Sequence, residues 1–146
     1  MDTVSKKKRS EMMSGIGSKN TKPEIIVRKL LHSNGYRFRL HSKNLPGRPD
    51  ICLPKHKSVI FVNGCFWHGH SCPIFRVPKT RPDFWYAKIE GNRQRDRKNI
   101  EDLLELGWRV LVIWECTLRG KNKASFEGLS KMLDSWFDSD QTYAEL

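Results

Sequence analysis

Two cysteines and two histidines lie close together in the middle of the chain, and their types predict a metal site. Cys65, His70 and Cys72 follow the pattern Cys-x4-His-x-Cys, on a stretch short enough to wrap one ion. Structural zinc takes four such ligands in a tetrahedron, so one zinc per chain needs a fourth. Cys116, which follows a second apolar run, is the best candidate. Two alternatives stay open: a Cys65–Cys72 disulfide, although nothing indicates secretion, and His68 as the ligand instead of His70.

His68 is a candidate for acid–base catalysis, and Asp50 is predicted to lie close to the loop that carries it. An unperturbed imidazole titrates near neutral pH, which suits His68 to acid–base catalysis if His70 completes the zinc site. Asp50 follows Pro49 and precedes the apolar residues 51–53, so it stands at the start of a strand. The return strand, residues 59–62, is predicted to run antiparallel and to bring Val62 near Asp50.

Asp96 is a carboxylate on the apolar face of a predicted helix. It lies seven residues after Ile89 and four before Ile100, so helical periodicity turns it inward with them. A carboxylate in that position needs a partner. The partner is either Arg93, three residues back, or a group in the site such as His68.

The elements that must position these residues follow from the apolar pattern. Thr21 caps the start of a first helix, which stops at Asn34-Gly35, and a long later helix ends at Gly107. Alternating or continuous apolar residues predict four strands. The predicted order is helix, three strands, helix, strand, helix, over residues 21–34, 36–40, 51–53, 59–62, 83–106, 110–114 and 126–137.

Charge indicates the partner. The net charge is +11, and the excess of Lys and Arg lies in residues 1–100, with 22 basic against 7 acidic side chains. Such a distribution favours a polyanion, most simply nucleic acid. No apolar run is long enough to span a membrane and no signal-peptide core follows the basic start, so we expect an intracellular protein.

The chain is predicted to form one domain after a basic arm. Residues 1–20 are polar, basic and glycine-punctuated, which is typical of a flexible arm, and residues 21–146 suffice for a single core. On nucleic acid the arm would contact phosphates through Lys6, Lys7, Lys8 and Arg9.

The element order, with an aspartate after proline on the second strand, is that of many metal-dependent nucleases of the restriction-endonuclease fold. Their usual signature adds an acidic residue and a lysine on the next strand, where this chain has Val62 and Gly64. A different set of helpers must therefore replace that half of the motif, with His68 as base and Asp96 and Glu24 close by.

That replacement carries a closer resemblance. The motifs are Pro23-Glu24, Gly47-Arg48-Pro49-Asp50, Gly64-Cys65-Phe66-Trp67-His68-x-His70, Arg95-Asp96-Arg97, Leu106-Gly107-Trp108-Arg109-Val110 and Trp114-Glu115-Cys116. In this order they closely resemble the very short patch repair mismatch endonucleases, over essentially all of residues 10–137. The resemblance implies an α/β fold with a restriction-endonuclease-like core, in which helices flank a mixed β-sheet beside a structural zinc site.

The resemblance also implies a role for each matched residue. Asp50 would bind Mg²⁺ with the main-chain carbonyl of Val62, two ions being expected. His68 would be the general base, oriented by Asp96, and Glu24 would serve the metals through water. Glu24 also stands at the glutamate position of a capping box, which explains it equally well without catalysis. The zinc ligands would be Cys65, His70, Cys72 and Cys116, and the chain departs from common family residues at Val62 and Asn63.

The implied activity is Mg²⁺-dependent nicking of DNA 5′ of the thymine in a T·G mismatch, which starts repair after deamination of 5-methylcytosine. Phe66, Trp67 and Trp85 would wedge into the duplex; core packing is the alternative for these aromatics. We expect a monomer in the bacterial cytoplasm, associated with the nucleoid and with other mismatch-repair proteins. Two other functions remain: a nuclease of this fold with a non-mismatch target, and a non-catalytic zinc-stabilised DNA-binding module.

Overall fold

The computed structural model describes residues 21–70, 72, 77–119 and 123–146. The predicted arm of residues 1–20, with Lys6, Lys7, Lys8 and Arg9, lies outside the described residues. Within them, the chain contains four α-helices and five β-strands. In chain order they are α1 Lys22–Ser33, β1 Arg39–Leu40, β2 Ile51–Leu53, β3 Ser58–Asn63, α2 Pro82–Glu105, β4 Arg109–Trp114, α3 Glu115–Leu118, α4 Phe126–Asp138 and β5 Tyr143–Glu145, with a 3₁₀ turn at Pro54–His56.

The strands form one mixed sheet in the order β1-β2-β3-β4-β5. The first three pair antiparallel, and β3–β4 and β4–β5 pair parallel. The parallel pair β3–β4 is in register over six residues, from Ser58 opposite Arg109 to Asn63 opposite Trp114. Because parallel strands point the same way, β3 and β4 end on the same side of the sheet, and the segments that follow them begin close together.

Alternation along the central strands divides the apolar residues between two faces. Ile60 in β3 and Leu111 in β4 belong to one core, which α1 and α4 cover. Val59 and Val110 belong to the other, which α2 covers through Leu103 and which includes Cys65. The predicted mixed α/β architecture, with helices flanking the sheet, is therefore confirmed.

Local signals set the ends of the helices as expected. The Thr21 side chain accepts from the main-chain N–H of Glu24 at 3.4 Å, which caps α1. The long helix α2 ends at Glu105, and Gly107 then adopts a φ of +86°, a left-handed conformation that glycine tolerates. The prediction of a long second helix and a final amphipathic helix is confirmed.

The prediction for residues 36–40 is wrong in part. One half-buried strand is expected there, yet only Arg39–Leu40 pairs with β2 and both are exposed. Tyr36 instead packs in the α1–α4 core, with its ring 4.6 Å from that of Phe137 and its hydroxyl donating to Asp134. Side-chain packing beside the helices therefore replaces the sheet ladder in that segment.

The sheet also gains a fifth strand that the sequence analysis does not contain. β5 runs parallel to β4, and the main-chain N–H of Leu146 donates to Val112 at 2.8 Å. Among the described residues, no helix has the length and apolar character needed to cross a membrane.

Candidate active site

Four metal-type side chains meet where β3 and β4 leave the sheet. Cys65, His70 and Cys72 follow β3, and Cys116 lies in α3, directly after β4. Their ligand atoms all lie within 4.8 Å of one another. The parallel pairing of β3 and β4 therefore places the four predicted zinc ligands together, with His70 and not His68 in the cluster.

The spacing of these atoms fits one tetrahedral ion. Zinc–sulfur and zinc–nitrogen bonds of about 2.3 and 2.05 Å at a tetrahedral angle separate sulfur and nitrogen by about 3.6 Å. The Nδ1 atom of His70 lies 3.6 Å from Sγ of Cys65 and 3.5 Å from Sγ of Cys116. The Cys₃His set could thus hold a metal ion, and the two distances from His70 already match that geometry.

Burial shapes the chemistry of this cluster. Cys65 is fully buried, and desolvation raises the pKa of its thiol and that of Cys116. Desolvation lowers the pKa of His70, whose ring stacks on Trp114 at 4.1 Å and an interplanar angle of 7°. A divalent cation would supply the positive charge that thiolates need in so apolar a place.

His68 and Asp96 form a hydrogen-bonded pair beside the metal-type cluster. The Nδ1 atom of His68 is 2.5 Å from Oδ2 of Asp96, which α2 carries, and each side chain is about a third exposed. An ionised carboxylate only accepts hydrogen bonds, so Nδ1 of His68 is the donor in this contact. The local alternative is not seen, because Arg93 donates to the carbonyl of Gly69 and forms an ion pair with Glu90.

Asp50 lies at the start of β2, opposite β3 as predicted. The main-chain N–H of Val62 donates to Oδ2 of Asp50 at 2.8 Å. Desolvation raises the pKa of Asp50 to about 6, against the lowering effects of the Val62 hydrogen bond and of the charges on His41, His68 and Arg28. A partly buried carboxylate with this pKa is a good ligand for a hard divalent cation, which would restore its charged form.

The main-chain N–H of Glu24 takes part in the cap of α1, whereas its carboxylate lies close to His41 and Asp50. The carboxylate is 1 % exposed and accepts from Nε2 of His41 at 3.1 and 3.2 Å. It also forms an ion pair with Arg28, one helical turn later. Together with Asp50, Glu24 and His41 make a second group of metal-type ligand atoms within 4.8 Å. The Thr21 half of the capping box is therefore present, whereas the Glu24 carboxylate bonds to His41 and Arg28 instead of returning to the helix start.

A cleft of about 270 Å³ opens beside the histidine–aspartate pair. Arg93 and Arg97 give it positive charge on the α2 side, and Asn63 lies at the end of β3. Its lining consists of Asn63, His68, Gly69, His70, Arg93, Asp96, Arg97, Val112, Trp114 and Glu145. A phosphate-bearing ligand would meet both the basic side chains and the imidazole here.

The three predicted wedge residues form an aromatic cluster. Ring centroids are 5.1 Å apart for Phe66–Trp67, 5.5 Å for Phe66–Trp85 and 5.9 Å for Trp67–Trp85. Trp67 is 40 % exposed, and Lys88 lies 5.8 Å from its ring centroid. The cluster is thus partly open to solvent at Trp67, with the ammonium group of Lys88 over that ring.

Sequence reasoning missed several residues of this region. Phe84 and Tyr86 flank Trp85 at the start of α2 and are 44 % and 59 % exposed. His41 depends on the pairing of β1 with β2, and Glu145 lies on the unpredicted β5. Three successive aromatics after Pro82 were a signal for the first two residues, whereas His41 and Glu145 carried none.

Comparison with known proteins identifies the family. A profile of the DNA mismatch endonuclease Vsr matches residues 1–74. The DNA mismatch endonuclease Vsr of Escherichia coli (strain K12) is 43% identical over 145 residues, which cover 99% of this chain and 93% of that protein. The chain belongs to the Vsr DNA mismatch endonuclease family.

Other proteins similar to this chain are named type II nicking enzymes. The type II nicking enzyme V.XorIIP of Xanthomonas oryzae pv. oryzae is 55% identical over 117 residues, covering 80% of this chain and 86% of that protein. The type II nicking enzyme V.NmeAIP of Neisseria meningitidis is 48% identical over 120 residues, covering 82% and 86%. The protein is accordingly a DNA nicking endonuclease.

Proposed function

We propose that the protein nicks one strand of duplex DNA 5′ of the thymine in a T·G mismatch, with Mg²⁺, and so starts very short patch repair after deamination of 5-methylcytosine. The observation that carries the proposal is the His68–Asp96 hydrogen bond of 2.5 Å, in a basic cleft next to an exposed aromatic cluster. A relative named a mismatch endonuclease, matched over 99% of the chain, supports the mismatch as target.

Asp50, with the main-chain carbonyl of Val62, would hold the catalytic Mg²⁺, and Glu24 would act through water. Membership of a nuclease family suggests a divalent metal, and the partly buried Asp50 carboxylate suits a hard cation. When bound, two such ions activate water and stabilise the leaving oxygen of the phosphodiester. The chain's own part is to bring the Asp50 carboxylate, at the start of β2, close to the Glu24 carboxylate on α1.

His68 would take the proton from the attacking water at Nε2. Its Nδ1 proton stays on the ring and points to Asp96, which fixes the orientation of the imidazole and stabilises the imidazolium that forms. Asp96 is therefore a positioning residue. Arg93 and Arg97 line the same cleft and would attract the phosphate.

Cys65, His70, Cys72 and Cys116 would hold one structural zinc ion. The match of the sulfur–nitrogen distances to a tetrahedral ion supports this. A closed Cys₃His site leaves no position for water, so its part is to fix the loop that carries His68 and the aromatic residues. Catalysis and stability would then depend on different metals.

The aromatic side chains would insert between bases where the duplex unstacks most easily. Intercalation costs a few kcal/mol per unstacked step, a mismatch lowers that cost, and stacking on an aromatic ring returns about 1–3 kcal/mol per base. Phe66, Trp67 and Trp85 are the proposed wedges, and Lys6, Lys7, Lys8 and Arg9 would add phosphate contacts that do not depend on sequence.

The test is a nicking assay on end-labelled duplexes that carry T·G, T·A or C·G at one position within randomised flanks. The proposal predicts a single nick on the thymine strand, 5′ of that thymine, and only in the T·G duplexes. A second candidate, cutting at a fully paired site, is favoured by the relatives that are named type II nicking enzymes. Equal nicking of T·G and T·A duplexes would select that candidate.

A further inference from the structure

A histidine that the proposed mechanism does not use lies against both carboxylates of the cleavage site. The main-chain N–H of His41 donates to the carbonyl oxygen of Asp50 at 3.0 Å. Its Nε2 lies 3.1 and 3.2 Å from the carboxylate oxygens of Glu24. One ligand atom from each of these three residues lies within 4.8 Å of the other two. A nitrogen donor and two oxygen donors therefore meet at one point of the fold.

Three separate elements hold these donors. Leu40 pairs with Ile51 in the β1–β2 ladder, so His41 and Asp50 come next to each other just beyond the paired residues. Glu24 approaches from the first turn of α1. The group thus depends on the tertiary fold and not on the conformation of one loop.

The distances suit a shared ion. Bonds of about 2.1 Å in an octahedral ion separate neighbouring ligand atoms by about 3 Å and opposite ones by about 4.2 Å. Glu24 and His41 already lie in this range, and the largest separation in the group is below 4.8 Å. Closing the group around an ion therefore needs movements of less than about 1 Å.

The guanidinium of Arg28 supplies a positive charge at this point. It forms an ion pair with Glu24, and its Nη2 lies 3.4 Å from Nε2 of His41. A carboxylate as buried as that of Glu24 requires a compensating cation. The side chain of Arg28 is 18 % exposed, so it reaches solvent from this position.

We propose that Glu24, His41 and Asp50 form a divalent-cation site that prefers a first-row transition-metal ion to Mg²⁺, and that Arg28 holds the place of the ion in the metal-free protein. Imidazole is a good ligand for transition metals, whereas Mg²⁺ takes oxygen ligands and keeps its waters. The ion replaces the Nε2 proton of His41, which passes to solvent or to Nδ1, and Arg28 releases Glu24. The inference rests on the proposed function through Asp50 and Glu24, which both share, whereas His41 belongs to the inference alone.

The test uses the full-length, zinc-loaded protein without DNA, with Mn²⁺ as the probe and electron paramagnetic resonance as the readout. The wild type should bind Mn²⁺ at least about tenfold tighter than Mg²⁺, with Co²⁺ displacing Mn²⁺ at lower concentration, and pulsed spectra should show coupling to an imidazole nitrogen. His41→Gln should lose that coupling and bind Mn²⁺ about 10–100-fold more weakly, while Mg²⁺ affinity changes less than about threefold. Arg28→Met should bind Mn²⁺ more tightly than the wild type.

His32→Gln is the matched control, because His32 is an exposed histidine on the same helix as Glu24. It should keep both the nitrogen coupling and the Mn²⁺ affinity. Unchanged Mn²⁺ binding and unchanged nitrogen coupling in His41→Gln would overturn the proposal. Weaker Mn²⁺ binding in Arg28→Met would overturn the part assigned to Arg28. Because no DNA is present, these results are independent of whether T·G duplexes are nicked.

Discussion

The Nδ1 atom of His68 lies 2.5 Å from Oδ2 of Asp96, although the two residues are 28 positions apart. The loop after β3 carries the imidazole, and α2 carries the carboxylate on its inward face. A contact between two elements that each pack on the sheet fixes both the tautomer and the direction of the ring. The pair is therefore the part of the cleft best suited to move a proton.

A double-mutant cycle tests this pair. His68→Ala should reduce the nicking rate by roughly 10²–10⁴-fold, the usual range for loss of a general base, with part of the loss recovered as the pH rises. Asp96→Asn should cause a smaller loss, because an amide can orient the ring but cannot stabilise its protonated form. The double mutant should resemble His68→Ala alone, since both act through one imidazole. If the two losses in rate multiply fully in the double mutant, Asp96 does not act through His68.

The raised pKa of Asp50 predicts a specific dependence of stability on pH. The carboxyl group has an ordinary pKa of 3.8 and a folded-state pKa of about 6, raised by desolvation. A group with a raised pKa contributes stability that is fully present below 3.8 and is lost as the pH rises through about 6. Asp50→Asn removes the buried charge and keeps the size of the side chain.

Without added Mg²⁺, Asp50→Asn should therefore increase the free energy of unfolding at pH 8, by on the order of 3 kcal/mol, and by about half as much at pH 5. Denaturant unfolding at both pH values measures this difference. Lys55→Gln, a change at an exposed position in the 3₁₀ turn, controls for general charge effects. An Asp50→Asn variant less stable than the wild type at pH 8 would mean that the Asp50 charge is already compensated in the folded protein.

The amount of bound zinc should fall when Cys116 is replaced and should stay the same when Cys52 is replaced. The purified protein should contain about one zinc ion per chain, and Cys116→Ser should lose both the zinc and the fold, since structural zinc contributes on the order of 10 kcal/mol to folding. Cys52→Ala is the matched control, because Cys52 is buried in the neighbouring core but lies outside the cluster of four ligands. Metal analysis and circular dichroism give the answer, and a folded protein without zinc would contradict the assignment.

The aromatic cluster should discriminate between duplexes. Trp67→Ala should weaken binding to a T·G duplex by about 1–3 kcal/mol and binding to the matched duplex by less, because stacking is gained only where a base step opens. Phe126→Ala removes an exposed aromatic from α4 and should leave both affinities unchanged. Fluorescence anisotropy without divalent metal measures each affinity. Equal losses on both duplexes for Trp67→Ala would indicate a packing role.

The sequence predicts the central part of this fold because strong local signals agree with the packing. The apolar runs of β3 and β4 are long enough to specify buried strands, and their parallel pairing follows from the helix between them. The same parallel pairing explains why the sequence could predict that Cys65, His70, Cys72 and Cys116 lie together. The periodicity of α2 likewise gives the inward position of Asp96.

The remaining parts depend on tertiary contacts that no local pattern records. β5 contains Tyr143 and Glu145 on either side of one alanine, and it is a strand because its main chain pairs with β4. His41 reaches Glu24 and Asp50 only because the short β1 pairs with β2. Residues 36–38 alternate as a strand would, but packing of Tyr36 against Phe137 determines their position.

The most direct test of the whole account compares the wild type with Asp50→Ala on T·G duplexes, with and without Mg²⁺. Asp50→Ala should retain zinc and T·G binding, because removal of a negative charge near phosphate does not weaken contact with DNA. The account predicts one nick 5′ of the mismatched thymine by the wild type with Mg²⁺, and none by the wild type without divalent metal or by Asp50→Ala. Nicking of T·G duplexes by a folded Asp50→Ala protein at the wild-type rate would contradict it.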